Sequence, residues 1–490
     1  MVWTTENILN ATGGTLLCGK GNQTFSGISI DSRRIRPDML FVAIRGQKHD
    51  AHRFVQDVIS NGVRGVVVEK RKSAGFPLSD WHLQNLQCIA VDDTTRALGL
   101  MAAFNRDRHR ASVVAVTGST GKTTTREMIQ AVVSQKYHTL TSKKNYNNEI
   151  GLPLTLLELS PHHQWAIVEL GMNHLGEISR LTRICRPDIG VITNIGPVHL
   201  EGVGSIEGVM RAKGELLEEM DPQTTAVLNA DDEYVLKLAR DSSVNIVLFG
   251  QSEKALIRAQ APAADGQEIG FRLILPEQSC LVRIGVPGKF MVSNALAASA
   301  VGYLLGLSAQ EIKTGLERFR PIENRMNIVH TTSGIHIVND AYNANPTSME
   351  AAIGTLASLK GPARGVLVIG DMLELGAHAE SMHKNLGMMI ARFCIERLYV
   401  TGDFADVVQS GALEGGMAEH QILLGTKDEI FQDLIRWIQP GDWILVKGSR
   451  AMGMEDIVHR VVEWEKQTSS VHAWDCGLRV FEHKNMKIKR

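Results

Sequence analysis

The chain has few cysteines, and nothing in their arrangement does chemistry. The six of them, Cys18, Cys88, Cys185, Cys280, Cys394 and Cys476, are scattered through 490 residues without C-x-x-C spacing. That excludes a disulfide framework or a thiolate zinc cluster and fits a reducing compartment. Net charge is also missing: 52 Lys and Arg against 53 Asp and Glu leave a formal charge of -1. No global field draws the chain to nucleic acid or anionic lipid, so a charged ligand must be met locally. No run approaches ~18 consecutive apolar residues, so no membrane span is expected. The opening "MVWTTENILNATGG" lacks the charged region and apolar core of a signal peptide. Together these absences point to a cytoplasmic protein. Internal repeats and low-complexity tracts are absent as well.

What is present is ample material for globular cores: 44% hydrophobic and 21% charged residues over a length that suits roughly three domains. From Met1 to about Cys88, short apolar runs ("LFVAI", "GVVVE") alternate with helical patterns ("HRFVQDVISNG"), the sign of a small α/β domain. "TTRALGLMAAFNRDRHR", Thr94 to Arg110, has helical spacing and an arginine-rich end, and reads as a connector. Beyond it, "SVVAVTG", "WAIVEL", "DIGVITNI", "TAVLN" and "NIVLFG" are buried-strand candidates with helical segments between most of them, the pattern of a parallel sheet covered on both faces. "QEIGFRLILPEQSCLVRIGVPG" alternates and is expected to add antiparallel strands; "SNALAASAVGYLLGL" is expected to be a buried helix. After "RFRPIENRMN" the pattern restarts with "GIHIVND", "GVLVIGD", "RLYVTG" and "DWILVKG", a second doubly wound sheet. The expected division is therefore α/β throughout: a first domain over 1–98 with a connector to about 110, a central domain over 111–322, a third over 323–466, and a basic, solvated tail over 467–490. In such sheets ligands gather at the carboxyl ends of the strands, so the polar strand endings are where chemistry is sought.

The most informative stretch is "AVTGSTGKTTT", Ala115 to Thr125. A glycine-rich turn from a buried strand into a helix points backbone N–H groups and the helix N-terminus at an anion. Gly118, Ser119, Thr120 and Gly121 would cradle phosphates, with Thr124 behind them; Lys122 would reach the β- and γ-phosphates, and the Thr123 hydroxyl a magnesium ion. Only two residues separate Gly118 from Gly121, fewer than in the usual phosphate loop. A plain tight turn is the structural alternative, and the strand, Gly-Lys-Thr-Thr and helix together argue against it.

This shortened loop, TGSTGKTT, resembles the ATP loop of the Mur ligase family and its folylpolyglutamate synthetase relatives, which join a carboxylate to an amine at the expense of ATP. The resemblance extends over nearly the whole chain and implies three domains: a small UDP-binding α/β domain, a central P-loop domain and a Rossmann-like C-terminal domain. In "KKNYNNEIGLPLTLL" it places Asn148 against the nucleotide phosphates or metal, a position that taken alone is a loop before a helix. Glu169, ending "AIVELGMN", and His199, in "ITNIGPVHLEG", can together hold a divalent cation beside a triphosphate, although each singly is as readily a supporting or capping residue. Lys213, in "AKGE", reads from its sequence as a solvated helical lysine. The resemblance implies that CO2 carbamylates it into a carboxylate-like ligand for a second Mg2+. "VPGKFMVSNALAA" matches the adenine-side segment at Asn294 but departs from it at Phe290, where a histidine is common.

In the third domain, "NRMNIVHTTSGIHIVNDAYNANPTSMEAAI", "VIGDMLELGAHAESMH" and "VKGSRAMGMEDIV" resemble family members whose incoming amine is D-alanyl-D-alanine. Arg325 is then expected at the γ-phosphate, where its planar fork suits an anion. Asp340 is expected at the ribose, with a helix cap as the alternative, and Tyr342 beside the nucleotide. Asn343, Asn345, Asp371 and Glu374 are candidates for the dipeptide site. The first domain matches through "SIDSRRIRPDMLFVAIRGQKHDAHRFV". That match implies that Ser29, Asp31, Ser32 and Arg33 hold the nucleotide diphosphate and that the loop with Gly46, His49, Asp50 and His52 covers the uridine. In isolation Asp-Ser-Arg is a common loop tripeptide, and Asp50-Ala51-His52 stands where Asp-Gly-His is frequent.

The resemblance thus implies a ligase that transfers the γ-phosphoryl of ATP to the terminal carboxylate of a UDP-MurNAc-tripeptide. The acyl phosphate formed is then displaced by the amine of D-alanyl-D-alanine. ATP, two Mg2+ ions and CO2 as a lysine carbamate are the expected cofactors, and Lys122, Lys213, His199 and Arg325 the catalytic residues of a monomer. Two alternatives stand: a sister ligase with another acceptor, and a non-catalytic ATP-binding regulatory protein.

Overall fold

The computed structural model describes residues 2–46, 49–143 and 145–467; the tail expected from 467 onward lies outside the described residues except for Gln467. Three main sheets draw their strands from three successive stretches of chain. The first orders Thr15–Cys18, Gln87–Val91, Gly65–Glu69, Leu40–Val42 and Ile28–Ser29, with only the outermost pair, Thr15–Cys18 against Gln87–Val91, antiparallel. Its two faces are covered by separate apolar clusters, one around Trp3, Ile8 and Leu98, the other around Val55, Val58 and Trp81.

Helix Thr94–His109, capped by Asp93, leads into the central sheet. It buries Leu98 and Met101 in the first core and Ala102 in the second, so it joins two domains by packing in both. The central sheet has nine strands. Seven parallel strands run from Ile257–Asp265 through Asn245–Gly250, Thr225–Asn229, Ile189–Ile192, Ser112–Thr117 and Trp165–Glu169 to Thr139–Thr141. The expected antiparallel strands, Glu268–Ile274 and Ser279–Ile284, extend one edge. The alanine-rich stretch is helix Met291–Leu304, buried along nearly its whole length.

The third sheet orders Asn327–His330, His336–Asp340, Trp443–Lys447, Gly365–Ile369, Arg397–Val400 and Ile422–Leu424, antiparallel only at the first pair. Helix Pro346–Lys360 of this domain lies against the central one: Met349, Ala352 and Ile353 share a continuous apolar cluster with Val292 and Leu296. In the central sheet, strand Ser112–Thr117 sits between Ile189–Ile192 and Trp165–Glu169, where the winding direction reverses. The loops leaving these three strands diverge there and open a crevice at their carboxyl ends.

Candidate functional site

The phosphate loop fills that crevice. Gly118 has φ +147° and Gly121 φ +76°, and a Cβ on Gly118 would stand 1.9 Å from Thr193 Oγ1. Glycine is needed at both positions for conformation and for space. The segment after the next strand clasps the loop: Ser119 N–H donates to Asn194 O (2.9 Å), Thr120 N–H to Asn194 Oδ1 (2.9 Å), and Thr193 Oγ1 to Thr120 O (2.7 Å). Ser119 Oγ exchanges hydrogen bonds with Gly196 on both its N–H and its C=O. From behind, buried Asn294 accepts from Thr125 Oγ1 at 3.1 Å and leaves no room for a Cβ on Gly121. Lys122 folds back so that its Nζ donates to Gly118 O at 2.8 Å. Burial lowers its pKa; Glu169 works against that shift, and nearby Arg325 adds to it.

Beside the loop, Thr123 Oγ1 donates to Glu169 Oε2 at 2.8 Å, both groups buried at the start of a helix and the end of a strand. Asn147 Nδ2 donates to the other oxygen, Oε1, at 2.8 Å, and Arg126 Nη1 lies 3.6 Å from Oε2. Asn147, which the sequence did not single out, is thus the asparagine of this segment that meets the carboxylate. Its neighbour Asn148 accepts through Oδ1 from the N–H groups of Ile150 and Gly151, closing the turn that leads into helix Gly151–Leu157.

His199, held at φ +54°, sits across the loop. Its Nδ1 is 2.5 Å from Glu374 Oε2. A carboxylate only accepts, so Nδ1 carries a proton, and in the neutral ring Nε2 keeps its lone pair. Burial lowers the His199 pKa against the opposing pull of Glu374, and Lys122 and Lys213 lower it further.

Lys213 is 1% exposed on helix Ile206–Glu219. Burial, together with the Lys122 charge, holds its pKa well below 10.5, and no carboxylate counters that shift. Contrary to its solvated reading, it is a buried amine for which the uncharged form is favoured. Among the described residues no three His, Cys, Asp or Glu side chains form a metal cluster. The oxygen pair of Thr123 and Glu169 suits magnesium, which keeps most of its waters. Lys213 as an amine does not suit a cation, whereas as a carbamate it would.

The third domain completes the cleft. Arg325 Cζ lies 3.9 Å from the centroid of the Tyr342 ring, and Arg450 Cζ 5.6 Å from it. Asp340 is no helix cap: Asn345 caps helix Pro346–Lys360. Asp340 Oδ1 accepts from Met326 N–H at 3.1 Å and Oδ2 from Lys447 Nζ at 2.5 Å, while Lys447 also donates to Asn343 O. Asn343 is exposed. Asp371 is buried and accepts from the N–H groups of Asp403 and Phe404, so it anchors a loop. That loop carries Glu374, which docks on the central domain through His199 and through a 3.1 Å bond from Glu201 N–H to Glu374 O.

The first-domain candidates form two turns. Ser29 Oγ accepts from Asp31 N–H, and Asp31 grips Arg33 through both oxygens at 2.9 Å, which brings its pKa down to about 2. Ser32 lies between them, half-buried. In the second turn Gly46 N–H donates to His49 O, and His49 is exposed. His52 is buried and uses both ring nitrogens internally, Nδ1 to Asp50 at 2.7 Å and Nε2 accepting from Glu69 N–H at 2.9 Å. It braces the turn, and Ala51 starts a 3-10 helix that needs no glycine. Sequence reasoning passed over Asn147, Arg126, Thr193, Asn194, Lys447 and Arg450.

Comparison with known proteins covers all three domains. Family profiles match at residues 24–106 (Mur ligase family, catalytic domain), 116–302 (Mur ligase middle domain) and 324–450 (Mur ligase, glutamate ligase domain). The UDP-N-acetylmuramoyl-tripeptide--D-alanyl-D-alanine ligase of Bacillus subtilis is 34% identical over 461 residues, covering 94% of this chain and 98% of its own. Among solved structures, MurF from Acinetobacter baumannii superposes with a TM-score of 0.86 at 33% identity, covering 94% of this chain and 99% of its own. MurF ligase from Thermotoga maritima in complex with ADP superposes with a TM-score of 0.79 at 25% identity, covering 90% and 98%.

Proposed function

Because the chain belongs to the Mur ligase family, we propose that it uses ATP to join D-alanyl-D-alanine to a UDP-MurNAc-tripeptide, a cytoplasmic step of peptidoglycan precursor synthesis carried out by a monomer. The observation that carries this reading is the gathering of Lys122, Glu169 and His199 with Arg325 and Glu374 of the third domain in one crevice. Relatives named UDP-N-acetylmuramoyl-tripeptide--D-alanyl-D-alanine ligase align with 90–94% of the chain.

A carboxylate does not react with an amine, because oxide is too poor a leaving group. Transfer of the γ-phosphoryl to the tripeptide carboxylate makes phosphate the leaving group. The dipeptide amine then attacks the acyl carbon, loses a proton, and expels phosphate through a tetrahedral intermediate. Gly118, Ser119, Thr120, Gly121 and Thr124 cradle the phosphates, Lys122 swings from Gly118 O onto the transferring group, and Arg325 meets it from the third domain. Asn294 and Asp340 would serve the adenosine end of the nucleotide. Two Mg2+ ions, one near Thr123 and Glu169 and one near His199 and the Lys213 carbamate, would neutralise charge that develops on the phosphoryl oxygens. The uncharged Lys213 amine is the form that attacks CO2 and then loses a proton to give the carbamate. Asn147 and Arg126 hold Glu169 in place. Ser29, Asp31, Ser32 and Arg33 take the UDP diphosphate, and the turn of Gly46, His49, Asp50 and His52 covers the uracil. Asn343 and Glu374 receive the dipeptide at the mouth, on loops that Asn345 and Asp371 anchor.

Phosphate release with UDP-MurNAc-tripeptide, with and without D-alanyl-D-alanine, tests the reading. Release is expected only with both. Equal release without the dipeptide, or none with both, would refute it.

A further inference from the structure

We propose that Tyr342 acts through Arg325: its ring holds the guanidinium by the face, which leaves the in-plane N–H fork free for the terminal phosphate of ATP. The inference rests on the reading of Arg325 as the phosphate-facing cation. Arg325 Cζ is 3.9 Å from the ring centroid, and no described residue accepts a hydrogen bond from its guanidinium. A guanidinium fixed by an ion pair would have spent the donors that an anion needs, whereas one fixed by stacking spends none.

The backbone on both sides of Arg325 is tied to the segment that carries Tyr342. Tyr342 N–H donates to Asn324 O at 3.1 Å, Asn339 Nδ2 to Asn324 Oδ1 at 2.8 Å, and Met326 N–H to Asp340 Oδ1 at 3.1 Å. Asn324 and Met326 flank the arginine at φ +60° and +54°, a conformation that non-glycine residues keep only where the surroundings impose it. Arg450, itself paired with Glu455 at 2.6 Å, lies 5.6 Å from the same ring and limits its swing. No described residue bonds the Tyr342 hydroxyl, so the ring alone does the work.

The test measures binding of Mg2+ complexes of ADP and of the β,γ-methylene analogue of ATP to the full chain by calorimetry. The variants are R325A, Y342F, Y342A, Y342L and R325A/Y342A. Expected for Y342A and Y342L is a loss of about 10-fold for the ATP analogue and little for ADP. Y342F should bind as the native protein does, and R325A/Y342A should be no weaker than R325A. Y342L keeps the test open if Y342A fails to fold. Equal losses for both nucleotides would mean that the ring packs on the nucleoside, and would overturn the proposal. So would a further loss in the double variant, or an R325A that still binds the ATP analogue normally. Neither peptide substrate is present, so a failure of the ligase reading would show separately, in turnover.

Discussion

Replacing Gly118 with alanine should damage nucleotide binding more than it damages the fold. The residue's φ of +147° strains any L side chain, at about 1–3 kcal/mol. The new Cβ would also stand 1.9 Å from Thr193 Oγ1, an overlap that the chain must relieve. The cheapest relief turns Thr193 away and breaks its 2.7 Å bond to Thr120 O, at about 1 kcal/mol. The loop can thus escape by lifting off its clasp. That limits the stability loss to about 1–2 kcal/mol, a fall in Tm of about 2–8 °C for a domain of this size. The nucleotide, however, needs the loop closed, and should bear the full 2–4 kcal/mol, observed as a loss of about 30- to 1,000-fold in Mg-ADP affinity. Calorimetry and thermal melts on the same preparation separate the two effects. T193A in the G118A background, which removes Oγ1, should recover part of the affinity. Binding of Mg-ADP by G118A within about twofold of native would refute the steric argument.

Other consequences follow from single contacts. N147A should lower kcat because Glu169 loses a partner, whereas N148A should cost about 1 kcal/mol of stability through its lost turn hydrogen bonds and lower kcat less; steady-state rates and urea melts distinguish them. The folded protein disfavours the Lys213 ammonium, so in CO2-free buffer stability should rise as pH climbs through the folded pKa toward 10.5. K213M should lack that slope and also fail to ligate; a native protein with flat stability over that range would contradict this. Asp50 is pushed up by burial but brought down to about 2 by hydrogen bonds from His52 and Lys72. Its contribution is present above its ordinary 3.8 and is lost as pH falls through about 2, so D50N should flatten the acid limb followed by circular dichroism.

What could be read from the sequence was whatever is local. Gly118, Gly121, Lys122 and Thr123 announce an anion cradle because a strand, a turn and a helix suffice to define it. The alternating run after residue 267 likewise gave its antiparallel strands. Residues whose meaning comes from distant partners stayed hidden. Arg126 sits one turn into a helix and reads as surface until the sheet brings Glu169 beside it. Lys447 and Asp340 are opposite each other only because their strands pair in register, 107 residues apart. Asn147 and Asn148 are indistinguishable in a string, and the path of the loop decides which of them faces the carboxylate. The internal partners of His52 and Asp371, two polar residues expected at the substrate sites, were equally hidden, because burial is what requires those hydrogen bonds and burial belongs to the fold.

The central claim is that Lys122 moves a phosphoryl group onto a peptide carboxylate. Its most direct measurement is the amide product formed from UDP-MurNAc-tripeptide, D-alanyl-D-alanine and ATP by native protein and by K122A with an unchanged melting profile. The expected result is product from the native chain and almost none from the variant; product from K122A at the native rate would contradict the account.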